Sequence, residues 1–361
     1  MTKTRRTFAL AAAFVVALAV GGPVAATAAT THGTGSAGSA GAGSTATAPG
    51  GEREPAPRVI RATQDARVAP LDPPSEYGHA TVLEGPAFGP DGRLYFVDFT
   101  APAGKPKILR YDLRTKAVKP LYTDTASRFS SLQFSPVDGK MYVTDYDNGK
   151  IDRLNRDGTG FTTVFSGPVG GRKLVPDDIA FNRTGDMYVT DYHGSLAKAD
   201  GRVVRIDADG SHPSVLQDGL SGPNGISFTP DYSGLWVGEY NLGREDALTL
   251  APDGKSVVAA GVGMSANTGS GGFDSNTVDA AGNVYQVVLG SGKIVVWNRT
   301  GDLIATIRIP QQPKPELLVS NLVIKPGTTH GYITVGGDNG GYVYKFPALA
   351  PGIAQSNGGG A

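Results

Sequence analysis

One short phrase recurs six times in this chain and constrains its fold more than any other feature. The copies are Glu84-Gly-Pro-Ala-Phe88, Ser130-Ser-Leu-Gln-Phe134, Asp177-Asp-Ile-Ala-Phe181, Asn224-Gly-Ile-Ser-Phe228, Asp274-Ser-Asn-Thr-Val278 and Ser320-Asn-Leu-Val-Ile324. Each begins with a side-chain oxygen, and the steps between those first residues are 46, 47, 47, 50 and 46. A regular period of this length marks a stacked or radial repeat.

Each phrase is followed by a turn and a second run rich in β-branched and aromatic residues, such as Lys140-Met-Tyr-Val-Thr-Asp145, Asp186-Met-Tyr-Val-Thr-Asp191 and Gly234-Leu-Trp-Val-Gly-Glu239. A third run follows, as in Lys150-Ile-Asp-Arg-Leu154 and Arg202-Val-Val-Arg-Ile206, and then a fourth, as in Phe161-Thr-Thr-Val-Phe165. Four strands in about 47 residues make one propeller blade, so the expected fold is all-β, a six-bladed β-propeller. The sixth unit ends after its third strand, at Phe346. An orphan run before the first phrase, Ala80-Thr-Val-Leu83, is expected to serve as the N-terminal outer strand that closes the last blade and hides a sheet edge.

The ends read differently from this core, which is expected to span residues 57–350. Met1 to about Thr30 has a basic start, an apolar stretch from Phe8 to Val20 and small residues at Ala25 to Ala29, the pattern of an export signal. Its Arg5-Arg6 pair suits either an ordinary secretory signal or a twin-arginine signal. The expected location is therefore secreted, or at least extracytoplasmic, with no membrane contact after cleavage. Residues 31–56 are Gly, Ser, Ala, Thr and Pro with little to bury, the composition of a disordered linker, and 351–361 reads as a tail. Basic and acidic residues balance at 33 each and form no basic block, which argues against nucleic acid as a partner. The chain has no Cys, so neither a disulfide nor a thiol nucleophile is available.

The first strand of a propeller blade lines the central channel. Glu84, Asp177, Asn224 and Asp274 would then converge at one end of the axis, with Ser130 and Ser320 completing the ring. Three carboxylates in a narrow, partly dry channel repel one another unless a cation lies among them. An all-oxygen donor set without Cys or ring His suits Ca²⁺ better than Zn²⁺. Polar residues also start strands merely to satisfy turn amides, which accounts for the serines better than for three acids in one register. A second column, Asp98, Asp145, Asp191 and Glu239, ends the second strands on the same rim, and these acids are read as ties for loops. Each precedes an aromatic residue, Phe99, Tyr146, Tyr192 or Tyr240, and these are candidate walls of a substrate pocket. His193, the one His near this rim in sequence, is a further candidate for contact with substrate.

Taken in order and spacing, Glu84-Gly-Pro, Asp177-Asp-Ile, Tyr188-Val-Thr-Asp191, Asn224-Gly-Ile, Asp274-Ser and Gly292-Lys-Ile-Val-Val-Trp-Asn-Arg-Thr-Gly301 resemble the gluconolactonase, senescence-marker-protein and luciferin-regenerating-enzyme family of calcium-dependent six-bladed propellers. Within that family the pattern sits with the drug-responsive lactonases. The resemblance implies calcium ligands at Glu84, Asp177, Asn224 and Asp274, with Ser275 beside the last. It implies hydrolysis of a small lactone or related ester, with a ring carboxylate as general base: Asp274 first, Asp177 second. Sugar-lactone members often carry Asn where Asp177 stands and Arg where Val175 stands, so a sugar lactone fits poorly. A non-catalytic propeller with an axial metal and an esterase on the same scaffold are the competing readings.

Overall fold

A computed structural model describes residues 56–73, 81–269, 271–310, 317–337 and 339–354. The expected signal segment, nearly all of the linker, Ala80 and residues 355–361 lie outside these. The described residues contain strands and no helix, arranged as six blades of a β-propeller.

Blades one to four each run inner to outer in chain order, the first being Leu83–Phe88, Leu94–Asp98, Pro106–Tyr111 and Val118–Thr123. The innermost strands of the next three are Phe129–Phe134, Pro176–Phe181 and Pro223–Phe228. Blade five starts at Phe273–Val278 and gains a fifth strand, Arg58–Arg61, laid parallel to its outer strand Leu303–Arg308. Blade six comprises Leu318–Ile324, His330–Gly336 and Gly341–Pro347, then Thr63–Ala69 antiparallel on its outside.

The ring is thus closed by an N-terminal outer strand in the last blade, but the strand is Thr63–Ala69 and not the run Ala80–Leu83. Thr81 makes a single bridge to Gly337, and Leu83 already belongs to the innermost strand of blade one. The closing strand is hard to see in the sequence because it is outermost. Only Val68 and Ala69 of Thr63-Gln-Asp-Ala-Arg-Val-Ala69 are buried, so it lacks the apolar alternation of a half-buried strand. Pro351 and Gly352, assigned by sequence to a tail, are tied to the body: Gly352 bridges Asp279 and Pro326, and Ala280 N–H donates to the Pro351 carbonyl at 2.8 Å.

Each seam between blades has its own buried apolar cluster, including the seam from six back to one, where Val323, Tyr332 and Val343 pack with Leu83, Phe88 and Phe96. The repeated Tyr of the second strand meets the Phe that ends the next blade's first strand, edge to face. Tyr95–Phe134, Tyr142–Phe181 and Tyr188–Phe228 have ring centroids 5.0, 5.1 and 4.9 Å apart. Such pairs add about 0.5–1.5 kcal/mol each beyond area burial. One sequence phrase therefore supplies both the inner strand and its lock on the preceding blade.

Candidate active site

Each innermost strand carries a β-bulge near the start of its phrase. In blade three Pro176 pairs with Asp191 and Ile179 with Val189, so Asp177 and Asp178 together oppose Thr190. Blades four and five repeat the pattern at Asn224-Gly225 and Asp274-Ser275. A bulge frees two successive residues from strict alternation. The ring is consequently two residues deep: Glu84, Ser130, Asp177, Asn224, Asp274 and Ser320, then Gly85, Ser131, Asp178, Gly225, Ser275 and Asn321. At Gly85 the strand has a positive φ of 52°, and a Cβ there would lie 2.2 Å from the Leu132 nitrogen, so only Gly fits beside Glu84.

Threonines of the second strands pin these bulges from blade to blade. Thr190 Oγ1 accepts from Asp178 N–H at 3.0 Å and donates to the Asn224 carbonyl at 2.6 Å. Thr144 Oγ1 donates to the Asp177 carbonyl at 2.7 Å. Ser130 and Ser320 serve the same purpose, donating to the carbonyls of Pro176 at 2.9 Å and Leu83 at 2.5 Å.

The acids of the ring sense one another. Glu84 is pushed well above the usual carboxylate range by burial, then by the charges of Asp274, Asp178 and Asp177. Asp177 is raised by burial, Asp178 and Asp274, and Asp274 by burial and Asp178. Asp178 itself rises to about 6 through burial, against hydrogen bonds from Ser275 and Ser131. The Asn321 amide donates to Glu84 at 3.3 Å, and that of Asn224 to Asp274.

Asp178 is a member of the ring that the sequence does not place there. The doubled Asp177-Asp178 is visible along the chain, but strict strand alternation would send the second Asp away from the axis. Only the bulge keeps it in.

The donor set fits a hard cation. All donors are oxygens, the acids repel one another in a buried space, and Asp178 Oδ2 has no hydrogen-bond partner although it is buried. As they stand, no three His, Cys, Asp or Glu side chains among the described residues are gathered tightly enough to hold an ion.

The rim acids are taken up by loops. Asp145 accepts from Arg128 N–H at 3.3 Å and Asn148 Nδ2 at 2.8 Å, and Glu239 from Ser221 N–H and Arg244 Nε, both at 2.5 Å. Asp98 shares Thr100 Oγ1 with Asp72. Asp191 receives Arg172, Arg202, Val175 N–H and His193. Burial opposes its charge, and the hydrogen bonds from His193 and Val175, with Arg202, outweigh burial and hold it below the usual range. His193 therefore belongs to this outer ion-pair network, its Nε2 3.3 Å from Asp191 Oδ1.

The four aromatics form a row over blades one to four, with centroids 5.7 Å apart for Phe99–Tyr146, 6.3 Å for Tyr146–Tyr192 and 6.2 Å for Tyr192–Tyr240. Tyr240 is raised to about 12 by burial and Asp274, and Tyr192 is raised by burial with Tyr146 and Asp177 next. These two rings lie close enough to the ring acids to feel their charge.

Residues 82–319 match the family model described as the SMP-30/Gluconolactonase/LRE-like region. The chain is 27% identical over 279 residues to the lactonase drp35 of Staphylococcus saprophyticus, covering 75% of this chain and 84% of that one. Among solved structures, a luciferin-regenerating enzyme superposes with a TM-score of 0.65 at 16% identity, covering 84% of this chain and 100% of that one. A calcium-binding protein, regucalcin, from Agrobacterium tumefaciens superposes with a TM-score of 0.62 at 15% identity, covering 82% and 98%.

Proposed function

The chain belongs to the SMP-30/gluconolactonase/LRE-like family, and from that membership we propose that it is an exported, calcium-dependent lactonase. The observation that carries the reading is the gathering of Glu84, Asp177, Asp178 and Asp274 on the innermost strands of blades one, three and five, near enough to repel one another, in a chain similar to a lactonase over three quarters of its length.

Glu84, Asp177, Asn224 and Asp274, with Ser275 beside the last, would hold Ca²⁺, which when bound supplies a Lewis acid for the lactone carbonyl oxygen. Asp274 acts as general base, taking a proton from the attacking water, with Asp177 as the alternative. The water oxygen bonds to the carbonyl carbon, the ring C–O bond breaks, and the proton passes to the departing alkoxide. Tyr146, Tyr192 and Tyr240 wall the substrate side. His193 keeps Asp191 in place at the rim. Export through the Arg5-Arg6 signal would set this chemistry outside the cytoplasm.

The deciding experiment is a panel of lactones and linear esters given to the purified protein with calcium and after chelation. Lactone turnover that chelation abolishes and calcium restores is the expected result. Turnover of linear esters alone would make it an esterase. Calcium binding without turnover of any substrate would make it a binding propeller.

A further inference from the structure

The seam between blades four and five differs at the ring from the two seams before it. In blades two and three the residue before the rim acid is a threonine, Thr144 or Thr190. Its hydroxyl donates to the carbonyl of the next blade's ring residue, at 2.7 Å to Asp177 and 2.6 Å to Asn224. Blade four has Gly238 at this place, and the next ring residue is Asp274. The Asp274 carbonyl still has a donor, but from another direction. Gln286, on the second strand of blade five and fully buried, donates its Nε2 to Asp274 O at 2.8 Å and to Val287 O at 2.7 Å.

The two arrangements compete for the same space. A Cβ on Gly238 would stand 3.1 Å from Gln286 Oε1 and 3.4 Å from the Asp274 carbonyl oxygen. The first distance is tighter than an ordinary contact. The second is what a threonine needs for its hydroxyl to reach that oxygen, as Thr190 reaches Asn224. Gly238 thus leaves room for the Gln286 amide, which from within blade five gives the Asp274 carbonyl the donor that a threonine of the preceding blade gives at the two seams before.

We propose that Gln286 is a positioning residue of the site: its amide fixes the Asp274–Ser275 peptide within the bulge, so that Asp274 and Ser275 are held toward the ring. This rests on the calcium lactonase reading. Bulge residues lose part of their ladder bonding, so a buried carbonyl there depends on a side-chain donor. Groups behind metal ligands commonly set ligand orientation and, when removed, cost 10- to 100-fold in affinity or rate, by order of magnitude.

The test uses the full chain, calcium titration calorimetry, and kcat and KM at saturating calcium. Gln286→Val should weaken calcium binding about tenfold and lower kcat with KM nearly unchanged, since Gln286 is placed behind Asp274 and not against substrate. Adding Gly238→Thr to that variant supplies a hydroxyl where blades two and three have one, and should restore affinity to within about threefold of the parent. Adding Gly238→Val instead fills the same shape without a donor and should restore nothing. If Gln286→Val does not fold, Gln286→Met provides the donor-free side chain in its place. Equal rescue by Thr and Val would overturn the proposal in favour of packing, as would parental calcium affinity in Gln286→Val. A parent that binds no calcium would sink the calcium-dependent reading on which this proposal rests and the proposal with it, an outcome distinct from variants that match a calcium-binding parent.

Discussion

Tyr111 donates its phenolic hydrogen to Asp65 at 2.7 Å, joining the third strand of blade one to the strand that closes blade six. Asp65 also receives Lys116 at 2.6 Å and Lys345 at 3.4 Å, and its side chain is only 4% exposed. The contact ties the first and last blades together through a residue that neither the repeat nor the ring of acids marks.

Tyr111→Phe removes that hydrogen bond and should cost about 1–3 kcal/mol, measured by denaturant unfolding at neutral pH. Burial works against the Asp65 charge, and the hydrogen bonds from Lys116 and Tyr111 outweigh it, so its carboxyl lies below the ordinary value. A lowered folded pKa gives stability that is present above the ordinary carboxylate pKa and is lost as the pH falls through the lowered one. The gap between the parent and Asp65→Asn should therefore be full at neutral pH and close in strong acid. A gap that does not change with pH would mean that Asp65 contributes by packing alone.

Asp152 carries the opposite sign. It is fully buried on the third strand of blade two; burial raises its carboxyl to about 6, although Thr163 Oγ1 donates to it at 2.6 Å. A raised folded pKa gives stability that is full below the ordinary value and is lost as the pH rises through about 6. The parent should lose stability from this group between about pH 4 and 6, with each tenfold gain in proton affinity on folding worth at most about 1.4 kcal/mol. Asp152→Asn removes the titrating proton and should flatten that part of the stability curve. An unchanged slope would refute the assignment.

Calcium should raise the melting temperature, since a ligand that binds only the folded state stabilises it by about 2.7 kcal/mol at a hundredfold excess over its dissociation constant. Glu84→Gln, which keeps the shape and removes one charge, should reduce the calcium-induced rise while leaving the propeller folded by circular dichroism. No calorimetric binding at millimolar calcium would remove calcium from the account of this ring.

Asp274 and Asp177 can be told apart by Asn substitution, because an amide oxygen can still face a hard cation but cannot take a proton from water at neutral pH. Asp274→Asn should retain measurable calcium binding and lose about two to four orders of magnitude in lactone hydrolysis. Asp177→Asn should lose less. The reverse order at saturating calcium would transfer the base to Asp177.

The repeat is fully legible along the chain because it is a matter of period. A 46- to 50-residue step, with a Tyr in most second strands and a Phe ending most first strands, leaves few ways to bury both faces of so many short strands. The first ring follows from it, since equivalent residues of a radial fold share one radius and one height. The family resemblance rests on the same residues.

Three features depend on tertiary structure. Thr63–Ala69 closes the ring with its outer face in solvent, so its hydrophobic pattern is too faint to mark it, and backbone pairing with Gly341–Pro347 selects it. Asp178 joins the ring because a bulge sets two residues against one, and register is a property of the paired strands and not of either one alone. The exchange of a threonine for the Gly238–Gln286 pair is likewise invisible along the chain: the two residues are 48 positions apart in sequence and meet only where blade four packs on blade five. Residue type and spacing reach as far as which side chains share a radius. Which of them face the axis, and what holds them there, is decided by hydrogen bonds between strands distant in sequence.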